Sequence, residues 1–294
     1  MHLIIYYLIA FLWAIFTGFM FSSTGAAGGI LASFGFITIL GVQDANSIKV
    51  MSEILVLISP IVILHFYLRQ KRFKKLKKIL FLVGSTLGLG GLLGASLGSW
   101  ISKSYLSDLK SFKYFFGYIA FMVVILMVYK MIKQKHNNKN GKSKKIDVDK
   151  FSSLKDGEMS KFSFKTINVK IDGEVYPIHP IFIFIAGFFI AILAAMFGVG
   201  GGFLFVPFLT DIVGFQVFFA AAISILSVLI IAAVSVSVYL SMGVHVIVPL
   251  LAVSLVGILT GSTIGPKLSR HVPNDWLRYA VIALLLFIGI AYVF

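Results

Sequence analysis

The sequence contains no cysteine. Disulfides, thiolate metal sites and cysteine nucleophiles are therefore excluded. Charge is scarce as well: only 13% of the 294 residues are Asp, Glu, Lys or Arg, against about 25% in an ordinary soluble domain. So few polar groups cannot cover a water-facing surface. What is present in their place is apolar: 59% of the residues are hydrophobic, and the mean hydropathy is +0.99. These values describe an all-α integral membrane protein and exclude a soluble enzyme, a disordered chain and a secreted disulfide scaffold.

The formal net charge is +15, which raises the question of nucleic-acid binding. Position answers it. Residues 69–78 hold seven bases, residues 133–170 hold eleven lysines against four acids, and together they carry +14 of the total. Charge confined to two hydrophilic segments between apolar spans is the positive-inside pattern; a nucleic-acid face would thread a folded domain. No nucleic-acid partner is expected. The lipid bilayer is.

Apolar stretches at His2–Phe21, Ala45–Leu68, Ile79–Ile101, Phe112–Ile132, Pro180–Phe197, Val217–Leu240, Val244–Ile264 and Trp276–Phe294 predict about eight transmembrane helices. Most approach the roughly 20 residues a helix needs to cross the hydrocarbon core. The first lacks a basic flank and a small-residue cleavage site, so it reads as a retained helix. Two shorter stretches, Ile30–Leu40 and Phe203–Ile212, each follow a glycine cluster and read as re-entrant half-helices. Counting spans from the two basic segments predicts both termini in the cytoplasm of a multi-pass inner-membrane or plasma-membrane protein. Between the halves, Gln134–Lys150 reads as flexible, and Phe164–Pro177 alternates around Asp172-Gly173, the pattern of a small cytoplasmic β-hairpin.

The halves resemble each other. Gly25-Ala26-Ala27-Gly28-Gly29-Ile30-Leu31 aligns with Gly198-Val199-Gly200-Gly201-Gly202-Phe203-Leu204, and Gly94…Gly98 with Gly261…Gly265. The expected organisation is a first four-span repeat at 1–132, a loop at 133–178 and a second repeat at 179–294. With both repeats starting on the inside, they are expected to be parallel. The Gly-xxx-Gly pairs read as close helix packing. The glycine clusters read as broken helices of the kind that bind substrate near mid-membrane.

The run Phe197-Gly-Val-Gly-Gly-Gly-Phe-Leu-Phe-Val-Pro207 resembles the signature of the TauE/SafE sulfite exporter (TSUP) family, as do the repeat and the chain length. The first copy departs from it at Ala26 and Ala27 and has Phe34 where the second has Pro207. The resemblance implies export or exchange of sulfite, sulfonates or related small organosulfur anions.

Free N–H groups at the start of a half-helix suit a small oxyanion, and glycine lets the backbone approach it. The candidate substrate-binding residues are Ser23, Thr24, Gly28, Gly29, Ser52, Gly200, Gly201, Gly202 and Ser224. Lys49 and Glu53 sit one turn apart inside the second span, where ionisable groups are expensive and usually functional. They are the candidate coupling or gating pair, with a proton or a cation as the coupling ion. The bland alternative is a lysine snorkelling to the interface with Glu53 as its partner. Asp44 and Asp211 read as caps or interface residues. His65, His179, His245 and His271 have no ligand spacing, so no metal or cofactor is expected. The chain has no Walker loop and no nucleophile–base–acid constellation, which argues against a motor or an enzyme. A transporter of an unrelated solute or metal cation using Glu53 and Asp211, and a membrane assembly protein without transport, remain as alternatives.

Overall fold

The structure, a computed structural model, describes residues 2–24, 28–68, 71–140, 166–171, 174–215, 217–268 and 274–294. The start of the first glycine cluster, the hairpin turn Asp172-Gly173 and the stretch 141–165 lie outside them. The order of elements is α1 (His2–Thr24), α2 (Gly28–Phe34), α3 (Ala45–Leu68), α4 (Lys71–Tyr105), α5 (Leu109–Asn140), β1 (Ile167–Ile171), β2 (Glu174–Ile178), α6 (Pro180–Phe197), α7 (Gly202–Pro207), α8 (Val217–Ser241), α9 (Val248–Leu268) and α10 (Asn274–Val293). Among the described residues, six helices are long and apolar enough to span a membrane (α1, α4, α5, α6, α8 and α9), and the other two predicted spans are α3 and α10.

Both short helices continue into one wide π-helical turn, Gly35–Ile39 after α2 and Phe208–Ile212 after α7. The turn recurs where the first copy has Phe34 and the second has Pro207, so the proline does not create it. Helix starts follow local chemistry. The Asp44 carboxylate accepts the Asn46 and Ser47 N–H groups at the head of α3 (3.2 and 3.0 Å), and Pro180 opens α6 where a missing N–H costs nothing. Asp108 accepts the Ser111 N–H at the head of α5 (2.8 Å), and that bond with the Ser111 hydroxyl holds its carboxyl below the usual range. Two expected loops are partly helix: α4 begins at Lys71 inside the basic segment, and α5 runs on to Asn140, into the first part of the stretch read as flexible.

The direction of the helices corrects the parallel repeat. The Tyr6 hydroxyl donates to the Leu40 carbonyl (3.1 Å) and the Trp13 indole to the Leu31 carbonyl (2.9 Å), so α2 doubles back along α1. The segment joining α2 to α3 therefore returns to the end where α1 began. Helix α9 runs parallel to α1, with Gly257, Gly261 and Gly265 lying on Phe11, Ile15 and Ser22 in turn. Helix α6 runs parallel to α4, with Gly90, Gly94 and Gly98 against Phe184, Phe188 and Ile192. At one end of the bundle the head of α3 meets the tail of α4, through Lys49 Nζ to the Leu106 carbonyl, and the segment before α9, through Ser47 to the His245 carbonyl. Tyr292 near the end of α10 bonds Thr38 there (2.5 Å). This terminal end holds the starts of α1, α3, α5 and α9. The opposite, basic end holds the starts of α4, α6, α8 and α10 and the β-hairpin. Equivalent helices α1 and α6 thus point in opposite directions, and both chain ends lie away from the two basic segments. The span count went astray because it took α1 as a crossing and its re-entrant partner as none; α1 and α2 form a pair that brings the chain back.

The hairpin is antiparallel with Ile167 opposite Ile178 and Val169 opposite Tyr176. Its apolar face is buried with Leu80, Val83 and Phe215, and the Tyr176 and Phe215 rings lie 5.2 Å apart. That burial supplies the support that an isolated two-stranded ribbon lacks in water.

The closest glycine contacts between α4 and α6, and those of Gly257 and Gly261 with α1, are to backbone carbonyls. A Cβ at Gly94 would fall on the Phe188 carbonyl. Gly94→Leu is expected to cost about 1–3 kcal/mol through overpacking, read as a lower melting temperature in detergent. Leu93→Ala, at a position 54% exposed on the outer face, should change it little.

Candidate functional site

The two helix breaks meet. After α6, Gly198 adopts a left-handed conformation with its N–H returned to the Ala194 carbonyl, and Gly200 and Gly201 also have positive φ (75° and 68°). Three such residues within four positions form a turn that only glycine adopts without strain. A Cβ at Gly29 would land on the backbone of Val199, so the start of α2 sits directly on the second break. A Cβ at Gly198 would lie 2.7 Å from the Lys49 Cα, and one at Gly200 would strike Val56. Helix α3 therefore runs alongside the junction, with Lys49 and Glu53 at the level of the second break.

Lys49 and Glu53 do not pair. Lys49 is fully buried, with Nζ 2.6 Å from the Leu106 carbonyl, 3.2 Å from Asn46 Oδ1 and 4.7 Å from the centre of the Phe112 ring. It does not snorkel, and Glu53 is not its counter-ion. Glu53 is also fully buried, and among the described residues both carboxylate oxygens lack a hydrogen-bond partner. The Gly200 N–H and the Ser235 hydroxyl face the carboxylate without closing a hydrogen bond, and Tyr239 is close enough to interact electrostatically.

The other candidates divide by what already occupies them. Gly28, Gly29, Gly200, Gly201 and Gly202 are all buried at the junction. Ser52 accepts a bond from the Ser33 hydroxyl (2.9 Å), which ties α2 to α3. Ser224 donates to Ala221 of its own helix (2.8 Å), the self-bonding common for hydroxyls within membrane helices. The side chains of Ser23 and Thr24 lie outside the described ones. Asp211 stands in the π turn beyond α7, whereas Glu53 faces Gly200. No cluster of three or more His, Asp or Glu suited to a metal occurs among the described residues.

Sequence reasoning missed a set of buried hydroxyls. Ser99 bonds Ser235 (3.0 Å) between α4 and α8, and Ser59 bonds Ser262 (2.6 Å) between α3 and α9. Ser102 donates to the Met196 carbonyl (2.7 Å) and Tyr239 to the Ala195 carbonyl (2.9 Å), taking up the last turn of α6 just before the break. Their signal was present: Ser99 and Ser102 directly follow the glycine ladder of α4, on the segment where the backbones come closest.

A family model described as sulfite exporter TauE/SafE matches residues 10–292. The chain belongs to the TauE/SafE family. No curated protein and no solved structure matches it. The match spans both helix breaks and both glycine ladders, and TauE/SafE proteins are membrane transporters rather than enzymes. In this TauE/SafE chain the buried ammonium of Lys49 holds the Leu106 carbonyl. Lys49→Met keeps the volume and strands that carbonyl. It is expected to destabilise the protein by about 1–3 kcal/mol, measured by thermal or denaturant unfolding in detergent.

Proposed function

We propose that this protein is a secondary transporter that exports or exchanges small sulfur-containing anions, such as sulfite or sulfonates, through the junction of its two helix breaks. The meeting of Gly29 with Val199 carries the proposal, because it brings together two stretches of backbone whose N–H groups helices leave unused at their starts. In α7 the backbone bonds back to Gly201 begin with Leu204 and Phe205. Phe21, Val199 and Phe205 now fill the Cβ sides of Gly28, Gly29 and Gly201, so in this reading an oxyanion reaches the main chain of the glycine clusters, Gly202 included, when those neighbours move apart. Lys49, whose backbone packs against Gly198 while its ammonium holds the Leu106 carbonyl, would have to turn toward the junction to add a full positive charge. Ser23, Thr24, Ser52 and Ser224 are proposed as the flanking hydroxyls, with Ser52 and Ser224 exchanging their present bonds for ligand.

The same reading divides the chain into repeats at 1–132 and 179–294 with an inserted segment at 133–178, now related by an axis in the membrane plane, as in other inverted-repeat transporters. Positive-inside charge puts the basic end and the hairpin in the cytoplasm, and hence both chain ends outside. Because the chain has no native cysteine, Lys77→Cys is expected to label from the cytoplasmic side only and Phe294→Cys from the outer side only. The reverse pattern would invert the protein in the membrane.

Substrate class is tested by thermal shift of the purified protein against sulfite, thiosulfate, sulfoacetate, taurine, sulfate and divalent cations. A ligand at about a hundred times its Kd stabilises by about 2.7 kcal/mol. An organosulfur anion should raise the melting temperature, and Gly201→Leu should remove that shift. Stabilisation by divalent cations alone would favour cation transport instead.

A further inference from the structure

We propose that Glu53 is a proton-binding site of the transport cycle, and that the hydroxyls of Ser235 and Ser99 carry the proton between it and the terminal end of the bundle. This rests on the transport reading above and names its coupling ion and route.

The starting observation is a carboxylate fully buried, with neither oxygen hydrogen-bonded. A buried charge without a partner is costly, so something must neutralise it in the closed protein. Charged and titratable groups around it do not. Lys49, one turn away on α3, is committed to Leu106, Asn46 and the Phe112 ring. Tyr239 on α8 donates its hydroxyl to the Ala195 carbonyl. Lys103 on α4 bonds the Met242 carbonyl at the terminal end. Helices α2 and α6 contain no charged residue, α1 only His2 at its start, and α9 only Lys267 near its far end. A metal cation is disfavoured, because the Gly200 N–H faces the carboxylate and would repel it. A proton on the carboxyl needs no oxygen cage and turns one oxygen into a donor.

The route follows from what stands next to Glu53. Ser235 faces it and bonds Ser99 at 3.0 Å. Ser102 and Lys103 then follow on α4, and Tyr239 and Met242 on α8, up to where both helices finish. Ser99, Ser102, Ser235 and Tyr239 are all fully buried, so this is a dry polar seam between two helices. A hydroxyl both donates and accepts, so Ser235 and Ser99 can pass a proton by breaking one O–H bond as another forms, while Ser102 and Tyr239 must first turn from the carbonyls they now serve. On loading, a proton from water at the terminal end ends on a Glu53 oxygen. On unloading, it leaves as the substrate site opens. No other reactant is required.

The test has two arms. In infrared difference spectra of the purified protein after a pH step, the wild type should show the C=O stretch of a protonated carboxyl, and Glu53→Gln should remove it. The pair Ser99→Ala/Ser235→Ala should keep the band and slow its appearance several-fold, with Ser235→Thr restoring the rate. In proteoliposomes, Glu53→Gln should keep sulfite–sulfite exchange and lose accumulation driven by a pH gradient. A band that survives in Glu53→Gln, an unaltered rate in the serine pair, or gradient-driven accumulation by Glu53→Gln would each overturn the proposal. Wild-type protein that shows the band but transports none of the sulfur anions would overturn the substrate reading alone and leave the proton site standing.

Discussion

Everything in this fold depends on how closely two helix backbones can approach without a hydrophobic force between them. In lipid, tails are as apolar as leucine, so association comes from van der Waals contact and interhelical hydrogen bonds. Gly90, Gly94 and Gly98 on α4, and Gly257, Gly261 and Gly265 on α9, each present a side-chain-free strip at helical pitch. Each strip takes the first helix of the opposite half, α6 or α1. The halves are therefore cross-braced rather than laid side by side. Two hydroxyl pairs, Ser59 with Ser262 and Ser99 with Ser235, close the remaining gaps between α3 and α9 and between α4 and α8.

Much of this was legible in the sequence, because it rests on local pattern. Alternation of Ile167, Val169 and Ile171 announced the hairpin, and the glycine clusters announced the breaks. The length of Ile30–Leu40 and Phe203–Ile212 announced half-helices. What could not be read was the direction in which a half-helix returns. That is set by contacts distant in sequence, such as Trp13 with Leu31 and Tyr6 with Leu40, and one misjudged turn inverted the relation between the repeats. The polar seam was missed for another reason. A serine in a membrane helix commonly bonds its own carbonyl, as Ser224 and Ser237 do, and sequence does not distinguish those from Ser99 and Ser235. For Glu53 the residue was identified but not its surroundings: spacing suggested a partner in Lys49, and the structure gives it none.

The halves share a plan and differ in chemistry. In the sequence alignment of the halves Glu53 and Lys49 have no charged counterparts, and the hairpin occurs once among the described residues. The basic end of the second half-helix is covered by Tyr176 against Phe215, while the turn that ends the first half-helix bonds through Thr38 to Tyr292 of α10.

The contact between Gly29 and Val199 has a consequence for how the protein is made. When the first half leaves the ribosome, its broken helix has exposed main-chain groups and nothing to cover them. Hydrocarbon cannot satisfy them. The surface that will do so lies far downstream, on a turn not yet synthesised, and the glycine strip of α9 that will hold α1 is later still. The first half cannot complete these contacts until the second break and α9 have been made.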